Sequence, residues 1–216
     1  MKISDIEVSL VHHVGDDLDV VNAARVSFDK ESLEFSDQDG KLIRYLAKHK
    51  HHSPFNHSFL SFRVKAPLFC ARQLVKHKFL PWNEVSRRYV DSEPEFYFPE
   101  YWRKKAANVK QGSSDENAEY VGHDIRDGLK FNIETYNRML EYGVCPEQAR
   151  MVLPQNMMAE WRWSGTLGAF LDMLVLRLDP HTQKESREVA YKVYRIVKDL
   201  FPVSTKAYLG DSIEKT

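Results

Sequence analysis

Two segments of alternating apolar and polar residues constrain the fold of this chain more than any other feature. Leu60, Phe62 and Val64 alternate with polar residues, and residues 157–163 repeat the same period of two. This period is typical of strands, whereas most other apolar residues recur every three or four positions, as in amphipathic helices. Because a long stretch of chain separates the two segments, their strands have to meet from distant parts of the sequence. We therefore expect an α+β fold, a mostly helical single domain over residues 1–216 with a small mixed or antiparallel sheet.

The same patterns divide the rest of the chain into elements. Residues 3–12 alternate well enough for a further strand. Helices are predicted over 20–24, 42–48, 67–77, 121–140, 146–153, 167–178 and 189–200. Asp17 or Asp19 is expected to cap the first helix, and residues 164–166 are expected to turn from a strand into the sixth. Residues 100–115 lie in a loop-rich region and are predicted to be an insertion or a mobile loop.

Composition excludes several classes of protein. The 216-residue chain is 43% apolar and has 31 basic and 31 acidic residues, which is typical of a folded domain and not of a disordered chain. Its formal net charge of zero provides no overall field that would attract nucleic acid, so no nucleic-acid partner is expected. The N-terminus lacks the apolar core of a signal peptide, and no apolar run approaches the length of a membrane span. We expect a cytoplasmic protein, in the host cytoplasm if the source is a virus, without membrane contact.

The polar chemistry is concentrated in residues 73–89. Its charged and hydrogen-bonding side chains include Lys76, His77, Lys78, Asn83, Glu84, Ser86, Arg87 and Arg88. So many donors for anions, with one hydroxyl and one carboxylate, predict a pocket for a phosphorylated polar ligand. Arg88 and the backbone amides around Ser86 suit phosphate oxygens. Two alternatives stay open, a solvated basic helix end and a nucleic-acid surface on which the aromatic residues of this segment stack bases.

Four histidines also lie close together in the sequence: His49, His51, His52 and His57. Imidazoles at this density could serve as zinc ligands, which leaves a metalloprotein as a further alternative. However, no His-Glu-x-x-His pair occurs, and no cysteine lies near them in sequence. Histidines at a helix C-terminus also interact favourably with the helix dipole. We therefore predict no metal site.

The segment over 73–89 resembles a known signature. Residues 76–78 and 81–89 read Lys-His-Lys and Pro-Trp-Asn-Glu-Val-Ser-Arg-Arg-Tyr. This order is similar to the signature of the flavin-dependent thymidylate synthases (the ThyX family), which is Arg-His-Arg, a short spacer and Ser-x-Asn-Glu-x-Ser-x-Arg-Tyr. The half from Asn83 onwards is intact, whereas lysines replace both arginines and Pro81 replaces the first serine. Lysine keeps the charge but loses the planar fork of a guanidinium.

Four further segments match the family in order along the chain. They read Ala-Arg-Val-Ser-Phe at 24–28, His-His-Ser-Pro-Phe-Asn-His at 51–57, Ala-Arg-Met-Val-Leu-Pro at 149–154, and Leu-Arg followed by Thr-Gln-Lys-Glu within 176–185. The matches therefore cover most of the sequence. The resemblance implies a ThyX-like fold and a homotetramer in which each active site takes residues from several chains.

The resemblance also implies the reaction and its residues. Family members convert dUMP to dTMP by reductive methylation, with methylenetetrahydrofolate as one-carbon donor and NADPH as reductant through FAD. The residues assigned to dUMP are Gln73, Lys76, Glu84, Val85, Ser86, Arg87, Arg88, Arg150 and Arg177. Those assigned to FAD are His51, Ser53, Lys76, His77, Lys78, Asn83, Glu84, Thr166 and Asp172. Thr166 and Asp172 stand in the region where family members often have asparagine and arginine contacts to the flavin.

Arg177 is assigned the catalytic role. It lies within the apolar run over 174–178, where a permanent charge predicts a buried arginine that needs an anionic partner. Cys70 is predicted within an apolar helix and Cys145 precedes Pro146, so neither offers the activated thiolate of a cysteine-based methylation. We expect Arg177 instead to stabilise negative charge that develops on the pyrimidine ring.

Overall fold

A four-stranded antiparallel sheet organises the computed structural model, which describes residues 1–107, 113–120 and 122–210. The strands are β1 (Lys2–Ile3), β2 (Glu7–Val14), β3 (Phe59–Pro67), β4 (Trp82–Glu84), β5 (Glu95–Phe96), β6 (Arg103–Lys105), β7 (Ser113–Asn117) and β8 (Met158–Thr166). The α-helices are α1 (Asp17–Arg25), α2 (Asp37–Lys48), α3 (Leu68–Leu74), α4 (His123–Glu141), α5 (Pro146–Ala149), α6 (Leu167–Arg177), α7 (Lys184–Leu200) and α8 (Pro202–Leu209). The sheet has the order β2-β3-β8-β4, while β1 pairs with β5 and β6 pairs with β7. This architecture confirms the expected α+β class.

The two predicted strands are neighbours at the centre of the sheet. Phe59 of β3 lies opposite Thr166 of β8, and the antiparallel register continues without a break along both strands. The predicted turn over 164–166 is wrong, because these residues complete the pairing with β3. Thr166 ends β8, and its hydroxyl oxygen accepts the backbone N–H of Ala169 at 3.3 Å, which caps α6.

One face of the β3–β8 pair carries the main core. The ring of Phe170 on α6 packs edge-on against Phe62 and Trp163, with centroids 5.0 and 5.4 Å away. Burying a side chain of this size stabilises the fold by roughly 1.5–3 kcal/mol. A second apolar cluster lies against α4 and contains Phe96, Leu129, Ile133, Tyr136, Ala149, Leu153 and Met157. Across the described ranges, no helix is long and apolar enough to span a membrane.

The first and last helices are joined by a buried carboxylate. Asp17 accepts the backbone N–H groups of Val203 and Ser204 at 2.7 and 2.9 Å, at the start of α8. The predicted cap at Asp17 or Asp19 is wrong, because the Asp16 carboxylate accepts the first-turn N–H groups of α1. Helix α8 itself has no counterpart among the predicted helices. It begins with a proline, which favours the first turn of a helix.

Three other predicted segments can be compared with the described elements. The strand expected over 3–12 divides into β1 and the longer β2, whose pairing with β3 begins at Glu7. Within the predicted loop over 100–115, β6 and β7 pair in antiparallel fashion, while residues 108–112 lie outside the described residues. Val121, where the long helix is predicted to begin, also lies outside them, and α4 is described from His123.

Candidate functional site

The end of α3 presents the largest group of predicted ligand residues. Gln73 is half-buried in its last turn, and residues 76–78 follow with His77 half-buried between two exposed lysines. The chain then turns at Phe79, which has a left-handed φ of 61°. A Cβ at Gly165 would lie 2.8 Å from the carbonyl oxygen of Phe79. Glycine at this position therefore lets β8 pass close to the loop.

Arg177 contacts this loop from the last turn of α6. Its Nε–H donates to Nε2 of His77 at 2.8 Å, and its Nη2 lies 3.5 Å from the backbone carbonyl oxygen of Gln73. Burial and the charge of Arg177 lower the pKa of His77 to about 4. The imidazole is therefore neutral at neutral pH and can accept the hydrogen bond. It orients the guanidinium without cancelling its charge.

The surroundings of Arg177 differ from the prediction of a buried arginine with an anionic partner. Arg177 is only half-buried, and Val175 and Leu176 on the same turn are 49% and 61% exposed, because this end of α6 lies at the surface. The apolar run over 174–178 is thus partly surface. No carboxylate of the described residues pairs with Arg177, whose contacts are a neutral imidazole and a carbonyl. Its charge remains available to a ligand.

Arg177 also lines a cavity of about 820 Å³, which we call the Arg177 cavity. Gln73 and Lys76 line it with Arg177. The Gln73 amide is held at both ends, because its Nε2 donates to Oε1 of Gln183 and its Oε1 accepts from the hydroxyl of Ser186 at 3.3 Å. One N–H and one lone pair of this amide remain for a ligand. The carboxylate of Asp179 also lines the cavity. Two cations and an oriented amide suit a planar ring that bears carbonyl and N–H groups.

A second cavity, of about 670 Å³, lies beside β4 and the residues that follow it. We call it the Ser86 cavity. The candidate residues that line it are Glu84, Val85, Ser86, Arg87 and Arg150. The hydroxyl oxygen of Ser86 accepts the backbone N–H of Arg88 at 3.2 Å, which fixes the turn after β4. The lining carries four carboxylates, from Glu84, Glu93, Glu95 and Glu160, beside four basic side chains, from Lys65, Arg72, Arg87 and Arg150. The guanidinium groups and the Ser86 hydroxyl are the groups of this lining that suit a phosphate monoester.

Arg88 makes an ion pair in this structure, and its assignment to dUMP stays a prediction. Arg88 is not among the residues that line the Ser86 cavity, and its Nη2 lies 3.0 Å from Oε2 of Glu147. Both of these side chains are largely exposed, so the ion pair contributes little to stability. Arg150 is anchored nearby, since its Nε donates to the carbonyl oxygen of Glu147 at 3.3 Å. The segment around Glu147 thus holds two of the predicted arginines.

Of the predicted flavin residues, Ser53 and Thr166 lie near the start of α6, and Asp172 lies in the middle of that helix. The Thr166 hydroxyl donates to Oδ1 of Asn56 at 2.7 Å, which links it to the 3-10 turn Ser53–Asn56. Asp172 accepts from the Tyr208 hydroxyl at 2.9 Å. Burial and the Asp172 hydrogen bond raise the pKa of Tyr208, so this hydroxyl stays protonated.

Other candidates lie apart from these groups. His51 is exposed and its ring centroid lies 6.0 Å from that of Tyr45 on α2. Asn83 is exposed on β4, opposite Arg162 of β8. Lys78 is exposed after α3. Over the described ranges, no three histidine, cysteine or acidic side chains are arranged to hold a metal ion.

In one chain, the residues assigned to dUMP are therefore divided between two cavities. Gln73, Lys76 and Arg177 line one of them, while Ser86 and Arg150 line the other. As far as the described residues go, the two cavities have no lining residue in common.

Sequence reasoning missed several residues at these sites. Lys65 and Arg72 line the Ser86 cavity, and Thr182 lines the Arg177 cavity. Arg72 directly precedes Gln73 on α3, and adjacent helical residues point in different directions. The two therefore line different cavities, although the sequence presents them as one basic segment.

Comparison with known proteins gives consistent results. A protein family described as "Thymidylate synthase complementing protein" has a sequence model that matches residues 9–203. A flavin-dependent thymidylate synthase from Kosmotoga olearia is 40% identical over 218 residues, covering 97% of this chain and 94% of that protein. Another from Thermus thermophilus is 40% identical over 205 residues, covering 93% of this chain and 74% of that protein.

The fold has a similar counterpart among solved structures. It is the crystal structure of a UMP/dUMP methylase, PolB, from Streptomyces cacaoi bound with 5-Br dUMP. The two chains superpose with a TM-score of 0.88 at 31% sequence identity, over 96% of this chain and 97% of that one.

Proposed function

Because the chain belongs to the family of flavin-dependent thymidylate synthases, we propose that it methylates dUMP to dTMP. In this proposal FAD is the flavin, NADPH the reductant and methylenetetrahydrofolate the one-carbon donor. The family match confirms the resemblance predicted from the motifs over 24–185. The likeness to a UMP/dUMP methylase supports a pyrimidine nucleotide as substrate. The cytoplasmic location and the single-domain organisation stay predictions.

The observation that carries the proposal is the setting of Arg177. Its guanidinium has no carboxylate partner in the described part of the chain, and neutral His77 orients it where it lines the Arg177 cavity. Carbon 5 of uracil becomes nucleophilic when negative charge spreads over the ring, and an oriented cation stabilises that charge as it develops. Gln73 lines the same cavity and presents an amide to the ring carbonyl and N–H groups.

The phosphate of dUMP belongs in the Ser86 cavity in this proposal. Arg87 and Arg150 line that cavity with Ser86, and guanidinium groups bind phosphate oxygens through parallel hydrogen bonds. Arg88 is engaged with the exposed carboxylate of Glu147. Arg88 does not line the cavity in its present rotamer, but leaving Glu147 to reach a phosphate there would cost little, because exposed ion pairs are weak.

The residues around α3 and α6 fit a flavin dinucleotide. Lys76 and Lys78 are exposed, and neither makes an ion pair with the described residues. Uncompensated cations of this kind suit a pyrophosphate. The exposed hydroxyl of Ser53 and the Thr166–Asn56 contact lie near the start of α6, where the ring would be held. Once reduced by NADPH, a bound flavin would supply the hydride for the reductive step.

A homotetramer with shared active sites would unite the two cavities. Four apolar side chains close in sequence to Arg177 or Lys76 are exposed: Val175 and Leu176 by 49% and 61%, and Val75 and Phe79 by 47% and 83%. Exposed apolar groups of this size are typical of protein interfaces. A neighbouring chain that covered them could contribute its own Ser86 and Arg150 to the nucleotide.

The cysteines support a methylation without a thiolate. Cys70 is fully buried on α3, and burial raises its pKa to about 12. Cys145 is exposed at the start of α5 and lines neither cavity. A thiol with a raised pKa is a poor nucleophile at neutral pH. Polarisation of the ring by Arg177 is therefore the activation that this chain's own residues support.

The test is a coupled measurement on the purified protein. We expect a flavin absorption spectrum that bleaches when NADPH is added, and dTMP formation that requires both dUMP and methylenetetrahydrofolate. UMP is assayed beside dUMP, because the structurally similar protein PolB is a UMP/dUMP methylase. Colourless protein that neither quenches added FAD nor forms dTMP contradicts the proposal. Flavin reduction by NADPH without dTMP formation would support a flavoprotein but contradict dUMP as its substrate.

A further inference from the structure

A buried ion pair lies two positions along the chain from Gln183, which lines the Arg177 cavity. Nη1 and Nη2 of Arg103 donate to Oε1 and Oε2 of Glu185 at 2.8 and 3.0 Å, in a bidentate arrangement. The side chains are only 13% and 6% exposed. Nε of Arg103 also donates to the hydroxyl oxygen of Ser113 at 2.6 Å, so β6 and β7 both hold the guanidinium. This ion pair attaches strands β6 and β7 to the first turn of α7.

Burial alone would raise the pKa of Glu185, but the hydrogen bonds from Arg103 keep that pKa below its usual value. The carboxylate is therefore charged when it is paired. Ion pairs at such depth are weak evidence for stability, because desolvation of the two charges offsets their attraction. They do impose one geometry, since two parallel hydrogen bonds fix both planar groups.

The geometry matters because of the residues on either side of Glu185. Gln183 precedes α7 and accepts from Nε2 of Gln73, while Ser186 is fully buried and donates to Oε1 of Gln73. The first turn of α7 thus determines how the Gln73 amide is rotated. Nη2 of Arg177 lies 3.5 Å from the backbone carbonyl oxygen of Gln73, at the same residue. A rotation or shift of this turn would reorient the Gln73 amide, which lines the Arg177 cavity beside Arg177.

We propose that Arg103 is a positioning residue for the nucleotide site. Its ion pair with Glu185 holds the first turn of α7, and through Gln183 and Ser186 it orients Gln73 toward the pyrimidine. This inference rests on the proposed function, since it takes the Arg177 cavity as the site of the pyrimidine. Arg103 has no contact with the substrate in this arrangement and acts only through other residues.

The test is a double-mutant cycle between Arg103 and Gln73 in the FAD-loaded protein, with the dUMP dissociation constant measured by calorimetry. Arg103→Met alone should weaken dUMP binding at least about tenfold, since displacing a positioned group by 1 Å can reduce function by about a hundredfold. In the Gln73→Ala background the same change should alter the dissociation constant less than about twofold, because coupled residues are not additive. FAD affinity, measured by fluorescence quenching, should stay within about twofold of the parent.

Two further variants separate positioning from general destabilisation. Val193→Ala removes a fully buried side chain on the same helix, away from its first turn, so it should lower the melting temperature and leave dUMP binding unchanged. If Arg103→Met does not fold, Arg103→Lys replaces it in the cycle, because lysine keeps the charge and loses the bidentate fork.

The outcomes distinguish the two proposals. If Arg103→Met weakens dUMP binding equally in the parent and in the Gln73→Ala background, the positioning inference is overturned. The proposed function still stands in that case, provided that the parent protein binds dUMP. Loss of dUMP binding in Val193→Ala to the same extent as in Arg103→Met would also overturn the inference. Parent protein that does not bind dUMP overturns both.

Discussion

The Nε–H of Arg177 donates to Nε2 of His77 at 2.8 Å and joins two segments that lie 100 positions apart in the sequence. The acceptor nitrogen has to be unprotonated, and a pKa of about 4 keeps it so at neutral pH. The contact therefore combines a permanent cation with a neutral ring, which orients the charge and leaves it uncompensated. Both properties can be tested.

The first prediction concerns the charge and shape of Arg177. Arg177→Lys keeps the charge but loses the planar fork, so the contact that strengthens as the ring gains charge is lost. We expect the rate of dTMP formation to fall about a hundredfold, or on the order of 3 kcal/mol in activation free energy. FAD content and NADPH oxidation should stay close to those of the parent.

Arg195→Lys, at an exposed position on α7, is the matched control and should behave like the parent. The decisive measurement is dTMP formation beside flavin reduction in the same preparation. An unchanged rate of dTMP formation in Arg177→Lys would mean that Arg177 has only a structural role.

The second prediction concerns the pH dependence of stability. His77 has a folded-state pKa of about 4, below its ordinary value of 6.5. Between these values the unfolded chain binds more protons than the folded one, so the stabilisation is present above pH 6.5 and is lost as the pH falls toward 4. His77 is half-exposed, and solvent screening reduces the effect to about 1 kcal/mol.

His77→Gln is the matched variant, because it keeps a neutral acceptor and cannot titrate. Urea unfolding of both proteins at equal FAD content, at about pH 7 and about pH 4.5, measures the difference. We expect the free energy of unfolding to fall further in the parent than in the variant. Parallel losses in the two proteins would show that His77 does not titrate in this range.

The third prediction concerns the lysines that follow α3. Lys76→Arg and Lys78→Arg together restore two planar groups that can each form parallel hydrogen bonds with an oxyanion. We expect FAD to bind about tenfold more tightly, as measured by quenching of flavin fluorescence. Lys48→Arg at the exposed end of α2 is the control. Identical FAD affinity in the double variant would mean that this site has adapted to lysine.

The fourth prediction concerns the cysteines. Cys70→Ala with Cys145→Ser should keep most of the activity, because neither thiol has the setting of a nucleophile. The change at fully buried Cys70 should lower the free energy of unfolding by about 1–2 kcal/mol, and Cys145→Ser alone should lower it little. Loss of dTMP formation in a folded double variant that still binds FAD and dUMP would revive a thiolate mechanism.

Local patterns determined the main elements of the fold. The alternation at 60–64 and 157–163 predicted β3 and β8 correctly, because strand formation with one buried face depends on side chains two positions apart. The core side of α6 and α7 followed from helical periodicity in the same way. Motif order alone identified the family, since five short segments had to match in register along one chain.

Only the tertiary structure decided the contacts between distant segments. The cap of α1 depended on which aspartate faced the first turn of this helix. Asp16 faces it, whereas the carboxylate of Asp17 accepts a backbone N–H group of α8. The division of the dUMP residues between two cavities followed from the directions of neighbouring side chains on α3 and from the path of β4. Neither is visible in a linear pattern.

Arg177 shows the physical reason most clearly. Its sequence surroundings predicted a buried charge, because the apolar residues on both sides read as core. In the fold the last turn of α6 reaches the surface, so Val175 and Leu176 are exposed and Arg177 meets His77. Burial, partners and pKa are properties of packing between segments. Residue type and spacing determine what a side chain can do, and the tertiary structure decides which groups it meets.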